Sequence, residues 1–251
     1  MPHRLILPVV AVCALPVAVE VSDAPEVPWD FSENLSKAYA QEFSGTSAGD
    51  ISSDPFAEFS KFNVLFIGNS HLFVNDVPLR VKTRLLSKAK SVHIKTFAHG
   101  GARLIDFVHR ADVASALENA DWHAVVLQEA TASFLSSAGR RQFHRAINWF
   151  VRKISPPTRI IVYQTWPWRN DSPFLRGRSS AGQLWKTMMV EYAKLANQPR
   201  LVIAPVGTCW VTSPARNSFY SSDGNHAAVA GSRFAAKVIS RTILGERPGD
   251  C

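Results

Sequence analysis

Ser70 closes an apolar run, "NVLFIGNSHLF" (63–73), and Asp223 stands three residues ahead of His226 in "SSDGNHAAVAG" (221–231). A serine hydroxyl is a poor nucleophile until a base takes its proton. That base is best a histidine whose tautomer a carboxylate fixes. A spacing of three brings an aspartate back towards an imidazole on one short turn. The chemistry these types can do is acyl transfer to a serine, which also needs donors aimed at the developing oxyanion. The backbone N–H of Ser70, an N–H at Gly100 or Gly101, and the side-chain amide of Gln128 are the candidates. Singly, each has a bland reading: a turn serine, an N-cap pair, a buried amide satisfying backbone groups. Their joint placement is harder to obtain by accident.

That placement depends on the elements between them. Asn63–Ile67 reads as a buried strand, and "SVHIKTF" (91–97), "HAVVLQ" (123–128), "RIIVYQTW" (159–166) and "LVIAPVG" (201–207) read as four more. Helical spacing separates them: Val77, Val81, Leu85 and Ala89 after an N-capping Asp76 with Pro78; residues 102–120, with a break near Ala111; Phe143 to Ile154, stopped by Pro156–Pro157; Leu184 to Leu195; and a last helix from Ala227 to Ile243. Strands alternating with helices predict a three-layer α/β/α sandwich around a central parallel sheet of about five strands. Ligands of such sheets sit at the carboxyl ends of the strands. Ser70, Gly101, Gln128 and the "TWPWRND" stretch all follow strand ends, and Asp223 and His226 fall where the last helix begins. Trp166 and Trp168, by the same rule, are expected at the rim as substrate-binding rings, with a packed corner as the alternative.

Read in order, "IGNSH", "GGARL", "VVLQE" and "DGNH" resemble the blocks of the SGNH hydrolases, the GDSL-type esterase superfamily, over residues 62–244. The resemblance implies the SGNH (flavodoxin-like) fold and a serine esterase in which Ser70, His226 and Asp223 form the catalytic triad. It implies an oxyanion hole from Ser70, Gly101 and Gln128, and no cofactor. Gly101 is preferred to Gly100 because the family's glycine directly precedes the residue that starts the helix. Two departures stand out. The usual Gly-Asp-Ser is Gly-Asn-Ser here, and the Gly-x-Asn-Asp of the third block is replaced by Gln128–Glu129. That pair is similar to the Gln-Gly-Glu of the sialate and carbohydrate acetylesterase branch, which points to O-acetyl groups on carbohydrate as substrate. The same triad would serve an O-acyltransferase, and a non-catalytic glycan-binding protein could keep the same fold.

Bulk composition is consistent with this reading and narrows the partners. The chain has 251 residues, 46% of them hydrophobic, enough for one full-sized core. Its net charge of +8 is segregated: residues 20–60 hold nine acids and one lysine, residues 61–251 hold 26 Lys/Arg and 11 acids. An acidic flexible leader (20–60) ahead of a basic hydrolase domain (61–251) is expected, the surplus suiting an anionic glycan ester or simply a solvated surface. The basic residues are scattered, with no zinc-ligand spacing, basic helix or aromatic RNA-binding signature, so no nucleic acid and no metal are expected. Residues 1–19 carry Arg4 and then an uncharged stretch too short for a membrane span of about 20 residues. They read as a signal peptide cleaved near Ala14 or Ala18, so the protein is expected to be secreted or periplasmic, with no stable membrane span after the signal is removed. Neither site is a clean A-x-A, and a retained anchor is the alternative. Cys209 and Cys251 can pair in such a compartment or both stay free.

Overall fold

The computed structural model describes residues 61–246, except 119, 120, 197 and 199. The expected signal peptide, leader and Cys251 lie outside them.

Five strands form one parallel sheet: β1 (Lys61–Gly68), β2 (Ser91–Ala98), β3 (Ala124–Gln128), β4 (Arg159–Tyr163) and β5 (Leu201–Ala204), in the order β2-β1-β3-β4-β5. Period two explains why these near-continuous apolar runs are strands. Leu65, Ile67, Val125, Leu127, Ile160 and Val162 turn into one core cluster. Val64, Phe66, Val126, Ile161 and Tyr163 turn into the other. A central strand buried on both faces must be apolar at every position.

Two helices cover the second face: α2 (Val77–Leu85), whose N-cap Asp76 accepts from the Leu79 N–H, and the long C-terminal helix α8 (Val229–Ile243). Between β1 and α2 lies one short turn of helix, α1 (Ser70–Phe73). The first face carries a 3-10 turn (Leu104–Phe107), α3 (Ala111–Glu118), a second 3-10 turn (Thr131–Leu135), α4 (Ser137–Lys153) and α5 (Ala181–Ala193). Ser136 and Ser180 cap α4 and α5 through their hydroxyls. Two short helices, α6 (Val206–Thr212) and α7 (Arg216–Phe219), lead into the loop before α8.

The three-layer α/β/α sandwich and its five parallel strands are as the sequence predicts. The segment 102–120 is not a single helix: it is a 3-10 turn and α3, parted by His109 at a positive φ of 66°. The fourth and fifth strands stop short, at Tyr163 and Ala204: after β4 the chain turns towards the loop before α8, and after β5 it enters α6.

Strand order 2-1-3-4-5 reverses direction between β1 and β3, and the crevice outside that reversal is where such folds bind ligands. Ser70 lies at the carboxyl end of β1 beside it. Among the described residues, no helix is long and apolar enough to cross a membrane. Cys209, buried in α6, is disulfide-bonded.

Candidate active site

Gly68 ends β1 with its Cα against Gln128. A Cβ there would come 2.5 Å from Gln128 Oε1, so only glycine lets the third strand's amide reach the turn that follows. Asn69 then caps α1, its Oδ1 accepting the His71 N–H at 3.1 Å. The cap leaves Ser70 as the first residue of the helix, at the surface of the crevice.

Three side chains meet there. His226 Nε2 is 2.8 Å from Ser70 Oγ, and His226 Nδ1 is 2.6 Å from Asp223 Oδ2. Asp223 Oδ1 accepts from the Ser221 hydroxyl and from the backbone N–H groups of Asn225 and His226. Burial would raise the Asp223 pKa. The hydrogen bonds from Ser221, His226 and those two amides outweigh it and hold the carboxyl well below the usual carboxylate range. Asp223 is therefore ionised at neutral pH and fixes Nδ1 as the protonated nitrogen, which leaves Nε2 free to accept from Ser70.

The loop bearing Asp223 and His226 is clasped by the chain that leaves β4. Trp166 Nε1 donates to the Asn225 carbonyl at 2.9 Å, the Arg169 N–H to the Gly224 carbonyl at 2.8 Å, and Ser172 Oγ to the Asp223 carbonyl at 2.7 Å. In return Tyr220 donates its hydroxyl to the Pro167 carbonyl at 2.8 Å. These contacts correct the expected role of the tryptophans. Trp166 is fully buried and stacks on Trp210 at 3.8 Å, and Trp168 is buried in the sheet's first core. Neither ring has a face open to a substrate, because the chain turns inward after Tyr163 to anchor the Asp223–His226 loop.

Gln128 is a second correction. It is fully buried, its Oε1 accepts the Asn69 N–H at 2.8 Å, and its Nε2 donates to the Glu129 carbonyl at 2.6 Å. The amide braces the nucleophile turn instead of facing the crevice. Two expected donors remain: no hydrogen bond among the described residues uses the backbone N–H of Ser70 or of Gly101. Gly101, at a φ of 69°, sits on the loop after β2, and that loop is tied to the nucleophile turn where Asn69 Nδ2 donates to the Ala102 carbonyl at 2.8 Å.

His71 escaped the sequence reading as anything but packing, and packing is what it does, in a telling place. Its ring is edge-on to Trp166 at 4.9 Å and 5.5 Å from the His226 ring. Burial first, then the neighbouring His226, lowers its pKa to about 3. It stays neutral and does not compete with His226 for a proton. Two cavities, of about 250 and 560 Å³, are lined around Arg140 and Glu191 and around Lys61 and Trp122; neither includes Ser70, Asp223 or His226.

No protein-family profile matches the chain, and no curated protein gives a significant match. Solved structures do match. A protein from Slackia heliotrinireducens, provisionally named an SGNH hydrolase, superposes with a TM-score of 0.66 at 26% identity, over 73% of this chain and 99% of that one. A lipase/acylhydrolase from Enterococcus faecalis gives 0.56 at 16% identity, over 73% and 96%. A carbohydrate acetylesterase family member from Sinorhizobium meliloti gives 0.51 at 15% identity, over 73% and 99%.

Proposed function

We propose, from the premise that this chain belongs to the SGNH hydrolase superfamily and is a hydrolase acting on ester bonds, that it works through Ser70, His226 and Asp223. Ser70 Oγ attacks the ester carbonyl while His226 Nε2 takes its proton. The tetrahedral oxyanion is met by the free N–H groups of Ser70 and Gly101. His226 then passes the proton to the leaving alcohol, and water repeats the cycle on the acyl-enzyme. Asp223 stabilises the imidazolium that forms in each half-reaction. The observation that carries this reading is the unbroken chain of hydrogen bonds from Ser70 Oγ through His226 to Asp223.

For the ester itself we propose an O-acetyl group on a carbohydrate. With both tryptophans buried, support comes from the Gln128–Glu129 resemblance and from exposure. The Ser70 region is open: His226 and Asp223 are 25% and 34% exposed as side chains. An open crevice suits a small acyl group on a bulky alcohol better than a long chain needing an enclosed apolar channel. A panel of esters from acetyl to long-chain acyl, run with Ser70→Ala as the blank, tests both levels. Turnover that is highest for acetyl and absent from the blank is expected. Preference for long acyl chains would overturn the substrate, and equal turnover by the blank would overturn the enzyme.

A further inference from the structure

Glu129 is a carboxylate with no place in the mechanism above, yet it is 1% exposed and sits one residue beyond β3. Its Oε1 accepts the Ala130 N–H and the Ser133 hydroxyl, each at 2.8 Å. Its Oε2 reaches across to the loop after β2 and accepts the Leu104 N–H at 3.3 Å. That loop carries Gly101, and its other tie to the site is Asn69 Nδ2 on the Ala102 carbonyl. The donor loop is thus pinned at two points, to the nucleophile turn and to the end of β3.

We propose that Glu129 is a positioning residue whose ionised carboxylate holds the Gly101 loop in register with Ser70. The proposal rests on the esterase reading above and deepens it. An ionised carboxylate can accept all three bonds. A protonated one gives up part of its acceptor capacity, and the longest contact, that to Leu104, is the first to weaken. The groups facing Glu129 are Arg103 on the same loop, which favours ionisation, the Ser133 hydroxyl, and Tyr192 from α5, which burial keeps neutral. Arg103 is itself engaged with Gln142 and Asp106, so it does not neutralise the carboxylate outright. Burial pushes the Glu129 pKa up to about 7, so the carboxyl changes charge inside the working range of a histidine base.

The test is amide hydrogen exchange at Leu104 from pH 5.5 to 8.5, corrected for intrinsic rates, with kcat on an acetyl ester alongside. In the wild type, Leu104 protection should rise as pH rises through the Glu129 titration. Glu129→Gln keeps the shape but turns an N–H towards the Leu104 N–H. It should leave Leu104 poorly protected at every pH and lower kcat about tenfold with little change in KM, less than the 10²–10³ typical of deleting an oxyanion donor. Ser133→Ala, which removes a bond favouring the ionised form, should move the midpoint of Leu104 protection to higher pH. Leu104 exchange that is indifferent to pH and to Glu129→Gln overturns the tether, whatever the activity. Exchange that responds while kcat does not overturns the positioning role and leaves the esterase reading standing. A wild type without turnover ends that reading and the positioning role with it, while exchange still decides the tether.

Discussion

Asn69 uses all four of its hydrogen-bonding groups. Its N–H goes to Gln128, its carbonyl receives the Leu72 N–H, its Oδ1 caps α1, and its Nδ2 holds the Ala102 carbonyl. An aspartate would cap as well but would set an oxygen against the Ala102 carbonyl, which gives Gly-Asn-Ser a physical reason here. Asn69→Asp is therefore expected to lower kcat by up to about 10²-fold, the scale of a 1 Å misplacement. Gln128→Ala strips the buried Asn69 N–H of its acceptor and should cost about 1–3 kcal/mol of stability. Denaturant midpoints and kcat on both variants check this; wild-type values for both would mean that the nucleophile turn needs no bracing. The amide of Gln128 was legible at a strand end both as an oxyanion donor and as a buried amide satisfying backbone groups, and the structure gives the second. Position at the end of β3 does not by itself choose between these readings; in the structure Oε1 and one Nε2 N–H are taken by backbone groups.

The chain leaving β4 is the element that sequence patterning misplaces. An indole at the end of an expected strand (Trp166), or two residues past it (Trp168), reads as a lip residue. Only the packed structure brings Trp210, from the end of α6, against the face of Trp166. The strands themselves were legible because burial on both faces forces unbroken apolar runs. The break in 102–120 falls near the expected place, but a left-handed His109 leaves no periodic trace. Trp166→Phe keeps the stacking and removes the N–H that holds the Asn225 carbonyl. It should loosen the Asp223–His226 loop, lowering kcat several-fold and stability by about 1 kcal/mol. Unchanged kcat and thermal midpoint would show that the clasp does not position the loop.

At the scale of the whole molecule, the sheet and every residue assigned a role lie between residues 61 and 246. A chain beginning near Pro55 is expected to fold and keep turnover, and an insoluble or inactive product would refute that. Stability should also depend on pH through Glu129. Its pKa is about 7 in the folded state against an ordinary 4.5, so the folded protein holds the proton more tightly. The associated stability is full below about pH 4.5 and is lost as pH rises through about 7, a swing of roughly 3 kcal/mol. His71, held neutral in the fold with its pKa lowered to about 3, contributes the opposite slope up to about pH 6.5. The Glu129 contribution is therefore read as a difference: wild-type unfolding midpoints should fall relative to those of Glu129→Gln as pH rises from about 4.5 to about 7. An identical slope in both would place the titration elsewhere. This global trend runs opposite to the local one expected at Leu104, because unfolding hydrates the carboxylate whereas local opening of the loop only removes one of its donors.

The central claim, that Ser70 is an activated nucleophile, is tested most directly by reacting the folded protein with a fluorophosphonate and locating the adduct by peptide mass mapping. One adduct per chain is expected, on Ser70, absent in Ser70→Ala and formed far more slowly in His226→Ala. An adduct on another residue, or undiminished labelling of Ser70→Ala, would contradict it.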